Sequence, residues 1–278
     1  MKLVGFEDGD QAMVGVVSPN GALTPVCQRE TFWRDPDGHL ARVDGDRPQP
    51  QGLAGVKQLP AVPASARVLC IGLNYRSHAL EGGRGEVPKV PVVFGRWTAS
   101  LVCDGDECPV IEERYDWEGE LGVVIGKPMF RVDAASGLRG VFGYCAFNDL
   151  SARTFQRQNP QWTMGKNGER SGPMSALVTA DAVGDPAQGL RLTTRVNEEV
   201  MQEGNTRDLL FSVGALIEYI SQVMTLNPGD LICTGTPAGV GAARRPPVFL
   251  KVGDQVEVEI EKVGQVKNQL VAPPQETR

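Results

Sequence analysis

From residue 68 to residue 260 the large apolar side chains come in short β-branched runs: Val68 to Ile71, Val92 to Phe94, Leu121 to Ile125, Val141 to Phe147, Ala176 to Val183, Leu190 to Val196, Leu231 to Cys233 and Val256 to Ile260. Gly, Pro, Asp or Asn bound them and they are shorter than ordinary helices, so the core must be built mainly from strands. Val256, Val258 and Ile260 alternate with Glu257, Glu259 and Glu261, which buries one strand face and leaves the other wet. One helix stands out: Leu209, Leu210, Val213, Leu216, Ile217, Ile220 and Val223 share a face at helical spacing. Thr206 is placed to cap it, and Asn227-Pro228-Gly229 turns the chain afterwards. The fold class is mainly β with some helix (α+β).

Residues 1–45 alternate short apolar pieces (Lys2 to Phe6, Ala12 to Val17) with turn signals, as a small β module does, and helix signals there are weak. Pro48, Pro50, Pro60 and Pro63 then mark a connection, so the expected division is a small N-terminal domain with its linker at 1–65 and a large domain at 66–278. Lys and Arg total 28 against 34 Asp and Glu, a net charge of −6, which gives no general attraction to phosphate backbones or anionic membranes. Nucleic acid and membrane are therefore excluded as expected partners. Apolar runs fall far short of a bilayer span, and Glu7 and Asp8 stand where a secretory signal needs an apolar stretch, so a cytoplasmic location is expected.

Six cysteines are too sparse for a disulfide scaffold and are expected to be reduced and mostly buried. With only His39 and His78 available, a metal site has to rest on oxygen. The segment Asp116-Trp117-Glu118-Gly119-Glu120 leads directly into an apolar strand. Strand spacing projects Glu118 and Glu120 from one face about 7 Å apart, too close for comfortable burial without a cation. Asp149 ends the run Val141 to Phe147, where a neighbouring strand could deliver it to the same point. Three carboxylates suit Mg²⁺ or Mn²⁺. Taken alone, Glu-x-Glu also fits a solvated strand end.

A second cluster follows Val68 to Ile71. His78 and Glu81 are three apart, so on a helical turn the carboxylate can orient the imidazole to take a proton from water, although such a pair alone also fits a structural role. Lys166 could neutralise an enolate or carboxylate, and the Gly-rich stretch Thr234 to Gly241 exposes N–H groups and hydroxyls for an anion. That stretch lacks the spacing of a P-loop or dinucleotide fingerprint. Gly82-Gly83-Arg84-Gly85 reads as a turn that could hinge a lid over 81–89.

In this order, the segments Gly72 to Glu81, Asp116 to Lys127, Asn148 to Arg153, Gln161 to Lys166, Asn205 to Ile220 and Leu226 to Gly241 resemble the fumarylacetoacetate hydrolase family in its bacterial two-domain form. The resemblance implies a mixed β-sheet or β-roll catalytic domain, a small N-terminal domain and a homodimer. By motif, Glu118, Glu120 and Asp149 resemble the Mg²⁺ or Mn²⁺ ligands, His78 and Glu81 the water-activating dyad, and Lys166 the lysine facing the substrate. Gly235 and Thr236 match the loop that holds a substrate carboxylate or oxo group, and Arg153 and Gln156 fall at polar positions near the pocket. The implied activity is metal-dependent hydrolysis of a C–C bond in an acylpyruvate-like 2,4-dioxo acid. Decarboxylation of an oxaloacetate-type 2-oxo acid, or isomerase or hydratase chemistry in aromatic or sugar-acid catabolism, would use the same enolate. A silent relative that only binds metal or oxo acid is the alternative from another class. Arg96, Thr154, Glu169 and Arg170 depart from the family pattern. Arg170 is expected to favour a second substrate carboxylate.

Overall fold

The computed structural model describes residues 1–43, 51–53, 55–81 and 86–274. A large mixed sheet runs in the order Gln51–Gly52, Ala22–Gln28, Gln11–Val17, Lys2–Asp8, Leu177–Thr179, Val141–Asn148, Gly119–Ile125, Leu231–Cys233, Val68–Gly72 and Val92–Arg96. Neighbours along this path are antiparallel except Leu231–Cys233 beside Val68–Gly72. A second sheet has the order Glu199–Asn205, Arg191–Val196, Gln255–Ile260, Gly264–Val271 and Glu107–Pro109. Among the described residues no helix is long and apolar enough to cross a membrane.

The strand Gly119–Ile125 is buried along its whole length because both its faces are covered. Leu121, Val123 and Ile125 pack with Leu192, Val258 and Val266 of the second sheet and with Leu216, Ile217 and Ile220 of the helix Val213–Ser221. Val124 faces the other way, with Cys145, Phe147 and the N-terminal residues Leu3, Val14, Phe32 and Trp33. Continuous apolar character in this run is what burial on both faces requires. In Gln255–Ile260 the alternation is as the sequence implies: Val256, Val258 and Ile260 are buried, while Glu257 and Glu259 lie outside them and both accept from Arg195 Nη1 at 2.8 and 2.9 Å.

Several elements differ from expectation for identifiable reasons. The expected helix over Leu209–Val223 begins only at Val213, capped by Ser212. Asn74 intercepts the preceding backbone: its carbonyl accepts from Leu210 N at 2.7 Å and its side-chain oxygen from Phe211 N at 2.9 Å. Thr206 instead opens a short 3-10 turn, and its hydroxyl accepts from Leu190 N. The run Ala176 to Val183 is a strand only at Leu177–Thr179 and then a helical turn, Ala180–Val183. The N-terminal part carries two short helices, Arg29–Phe32 and Pro36–Arg42. The second had a readable signal: Asp35 caps it by accepting from Gly38 N, and Pro36 occupies the first turn.

Lys2–Asp8 pairs with Leu177–Thr179, so the large sheet runs across the sequence position of the expected boundary near residue 65. Phe32 and Trp33 meet Phe142 edge-on at ring-centroid distances of 5.8 and 5.0 Å. The proposed hinge at 82–85 and part of the Pro-rich connection lie outside the described residues.

Candidate active site

The register of one strand pair assembles the acidic cluster. Gly119 lies opposite Asn148, and Asp149 N donates to Glu118 O at 2.8 Å, so the carboxylates that flank these strand ends converge. Glu118, Glu120 and Asp149 are all buried, and one oxygen from each lies within 4.8 Å of the others. The glycine between the two glutamates is structural: a Cβ at Gly119 would collide with Thr194 Oγ1 of the second sheet. Gly119 N donates to Gln202 Oε1 at 3.0 Å, and Gly119 O accepts from Thr236 Oγ1 at 2.9 Å.

Lys166 reaches this cluster from the short helix Thr163–Lys166, with its Nζ 2.6 Å from both Glu118 Oε2 and Asp149 Oδ2. Trp162 anchors the helix by packing on Gly72, where a Cβ would strike the indole, and edge-on against Phe94. Arg96 holds Asp149 from behind, with Nε 3.1 Å from Oδ1 and its other nitrogens on Ser100, Ser171 and Leu150 O. Arg153 pairs with Asp116 at 2.8 Å and Glu118 at 2.6 Å, and also donates to Gln156 Oε1 at 2.9 Å. Its Nη2 is buried without a protein partner.

Electrostatics separate the three carboxylates. Burial opposes ionisation of Glu118, but Lys166 and Arg153 outweigh it and lower its pKa to about 2. Burial and then the charge of Asp149 push Glu120 well above the ordinary carboxyl range. Among the described residues its side chain accepts only from Gly235 N, at 2.8 Å. Burial would strip the proton from Lys166, yet Asp149 and Glu118 raise its pKa above the usual lysine value, so the ammonium stays charged. The remaining conflict sits on Glu120, and a divalent cation among oxygen-only donors would remove it. The residues therefore fit Mg²⁺ or Mn²⁺.

The dyad forms across the cleft. At the exit of Val68–Gly72, Leu73 takes φ 59°, a left-handed conformation costing about 1–3 kcal/mol. Asn74 fixes that turn by donating to Thr234 O and Phe211 O at 2.8 and 3.1 Å. The helix Arg76–Glu81 follows. On it His78 Nδ1 lies 2.6 Å from Glu81 Oε1, and Glu81 Oε2 accepts from Gly239 N at 2.8 Å. Gly235, at φ 99°, comes so close to Asn74 and Ile71 O that a Cβ would sit 2.9 Å from each.

His78, Glu81, Glu118, Glu120, Lys166, Arg153, Gln156 and Thr236 thus line one cleft of about 1050 Å³. Asp149 and Gly235 do not line its wall, although both bond to residues that do. Arg170 corrects an expectation: its Nε donates to Glu107 O at 2.7 Å, its guanidinium lies beside Asp106, and it is not on the cleft wall. Thr154 is likewise outside, with its N–H on Glu112. Sequence reasoning missed Asp116, Asn74, Gln202 and Trp162 as organisers of the site. Their partners lie far away in the chain, Asp116 to Gly241 being 125 residues, so no local spacing announces them.

A cleft with an acidic, oxygen-only floor and a paired imidazole in its wall belongs to an enzyme acting on small molecules. The chain belongs to the fumarylacetoacetate hydrolase family: residues 67–271 match the family model described as fumarylacetoacetate (FAA) hydrolase C-terminal. It is 42% identical over 230 residues to the human mitochondrial oxaloacetate tautomerase FAHD2A, covering 77% of this chain and 73% of that protein. The solved 5-carboxymethyl-2-hydroxymuconate delta-isomerase from Mycobacterium smegmatis superposes with a TM-score of 0.79 at 30% identity, covering 98% of this chain and all of that one. Fumarylpyruvate hydrolase from Pseudomonas aeruginosa, solved with Mn²⁺ and pyruvate, gives a TM-score of 0.68 at 28% identity over 78% of this chain and 92% of the other. Relatives of this chain thus include a hydrolase, an isomerase and a tautomerase.

Proposed function

We propose that this protein is a divalent-metal-dependent hydrolase that cleaves a C–C bond in acylpyruvate-like 2,4-dioxo acids, with residues 66–278 as its catalytic domain and 1–65 as a small N-terminal domain. The observation that carries the reading is the meeting of the buried carboxylate triad, the charged Lys166 and the His78–Glu81 pair in one cleft. Glu118, Glu120 and Asp149 would hold the cation, Mg²⁺ or Mn²⁺ by their chemistry, and Mn²⁺ accompanies pyruvate in the Pseudomonas aeruginosa relative. Bound there, the cation supplies Lewis acidity and positive charge where negative charge develops.

The protein's own groups do the rest. Glu81 on Nδ1 sets the His78 tautomer and leaves Nε2 free to accept a proton from water. That water adds to the 4-oxo carbon of the substrate. The bond between C3 and C4 then breaks, its electron pair passing to C3, so that a carboxylic acid and, after protonation at C3, pyruvate are released. The Lys166 ammonium stabilises the enolate character of the departing pyruvate fragment. Thr236, on the loop that seals Glu120 and Gly119, would hold the substrate carboxylate or oxo group, with Gly235 acting from behind the wall through its N–H on Glu120, and Arg153 and Gln156 would assist.

The identity to the human oxaloacetate tautomerase favours a second reading, in which the same enolate forms without water attack, as in tautomerisation or decarboxylation of a 2-oxo acid. The test uses metal-stripped protein given back Mg²⁺ or Mn²⁺, with an acylpyruvate and oxaloacetate in parallel. Metal-dependent loss of the diketone absorbance with stoichiometric pyruvate supports the hydrolase. Turnover of oxaloacetate alone, above its metal-catalysed background, replaces it with the second reading.

A further inference from the structure

Each carboxylate of the triad has one oxygen tied back by a donor other than Lys166. Arg153 Nη1 holds Glu118 Oε1 at 2.6 Å, Gly235 N holds Glu120 Oε2 at 2.8 Å, and Arg96 holds Asp149 Oδ1 through both Nε and Nη2. The other three oxygens are less committed. Among the described residues Lys166 Nζ is the only donor to Glu118 Oε2 and Asp149 Oδ2, and Glu120 Oε1 accepts no hydrogen bond. The triad therefore offers a cation three single oxygens rather than three chelating carboxylates.

Asp149 is tied most firmly. A guanidinium has five N–H donors, and Arg96 uses every one: Nε and Nη2 on Asp149 Oδ1, Nη1 on Ser100 Oγ and Ser171 Oγ at 3.1 and 2.7 Å, and Nη2 again on Leu150 O at 3.1 Å. The two hydroxyls are themselves fixed, because Ser100 Oγ donates to Trp97 O and Ser171 Oγ to Gly168 O, both at 2.7 Å. Phe147 covers the guanidinium, its ring centroid 5.9 Å from Arg96 Cζ. Arg96, Asp149, Ser100 and Ser171 are all buried. Turning Oδ1 away from Arg96 would leave a buried charge short of its partner, which costs far more than opening an exposed pair. A lysine ammonium, with three donors and no planar fork, could not make this set of bonds.

We propose that Arg96 is a specificity-determining positioning residue: by confining Asp149 to one ligand oxygen, it biases the triad towards Mg²⁺ or Mn²⁺ and against Ca²⁺. The inference rests on the reading of the triad as a cation site and names what sets the choice of cation. Mg²⁺ demands near-octahedral geometry and keeps several waters, and Mn²⁺ shares its octahedral oxygen chemistry, so three single carboxylate oxygens leave room for water or substrate. Ca²⁺ takes about six to eight oxygens and often claims both oxygens of one carboxylate. Here the second oxygen of Asp149 is already held by two donors of a fully engaged, buried cation. Arg96, one of the residues that depart from the family pattern, thereby gains a role that no local spacing suggests.

The experiment titrates metal-stripped protein with Mn²⁺ and, separately, with Ca²⁺ by calorimetry, for wild type, R96K and S171A. Wild type should bind Mn²⁺ more tightly than Ca²⁺. In R96K the ratio of the two affinities should fall by about 10-fold, through weaker Mn²⁺ binding with Ca²⁺ binding kept or strengthened. S171A removes one acceptor that holds the guanidinium and should move the ratio the same way by less; it decides the matter if R96K loses the wild-type thermal transition. A purely structural role would weaken both ions equally, so equal loss overturns selection by Arg96. An unchanged ratio in the folded variants overturns it too, as does a wild type that binds Ca²⁺ as tightly as Mn²⁺. Binding of neither ion by wild type would instead bring down the cation reading and the inference with it, whereas the other negative outcomes leave that reading standing.

Discussion

Glu118 and Glu120 are two residues apart, equally buried, and chemically unlike. Glu118 shares an ammonium with Asp149 and is held ionised, while among the described residues Glu120 has only a backbone N–H and an adverse neighbour. Glu120 is therefore the carboxylate with the strongest need for a cation. In the variant Glu120→Gln we expect Mn²⁺ affinity to fall by more than about 100-fold, beyond the roughly 10–100-fold typical of residues that only orient ligands. Titration calorimetry reads this directly, and retained affinity would remove Glu120 from the metal site. His78 poses the complementary question, since its imidazole bonds to Glu81 and is not part of the triad. His78→Gln should lower kcat about 10²–10⁴-fold while leaving Mn²⁺ affinity unchanged. Full activity in that variant would place the proton acceptor elsewhere.

Elements meet at the site through absent side chains as much as through present ones. Gly119 lets the second sheet approach the strand that carries Glu120, with Thr194 where a Cβ would otherwise be. We expect Gly119→Ala to cost about 1–3 kcal/mol by overpacking, seen as a lower urea midpoint. Because the displaced strand carries the carboxylate, Mn²⁺ affinity should fall as well. A variant with unchanged affinity would show that the sheets adjust without moving the triad. Asn74 works in the opposite sense: by accepting from Phe211 N and donating to the carbonyls of Phe211 and Thr234, one side chain ties the exit of Val68–Gly72 to the loops before the helix Val213–Ser221 and after Leu231–Cys233.

Across the whole molecule, the site is a clamp on the fold. It joins strands of the large sheet, the Gln202 strand of the second sheet and the loop that follows Leu231–Cys233. A cation bound only by the native arrangement must therefore stabilise the chain by mass action. At a free Mn²⁺ concentration 100 times its Kd the gain is about 2.7 kcal/mol, a rise in Tm of roughly 5 °C for a protein of this size. Thermal scans with and without chelator measure it. Glu120→Gln should abolish the rise, and an unchanged Tm in wild type would mean that the triad holds no cation under those conditions.

Much of this protein is written locally. Strand positions follow from β-branched runs and their Gly and Pro boundaries, and the alternation in Val256, Val258 and Ile260 specifies which face is buried. Glu118, Glu120, Asp149, His78, Glu81 and Lys166 could be singled out because carboxylates at an apolar strand end, or an imidazole three residues from a carboxylate, are visible within a few residues. The limits of the helix at Val213, the partners of Arg170 and the role of Asp116 could not be read that way. Each depends on a backbone or side chain that only folding brings near: Asn74 for the helix start, Glu107 O for Arg170, and Gly241 N and Ala242 N for Asp116. Hydrophobic periodicity records which face of a segment is buried but not what it is buried against. A hydrogen bond between residues far apart in the chain leaves no pattern in either neighbourhood, so only the tertiary structure decided that Arg170 turns away from the cleft and that Asp116 braces its wall.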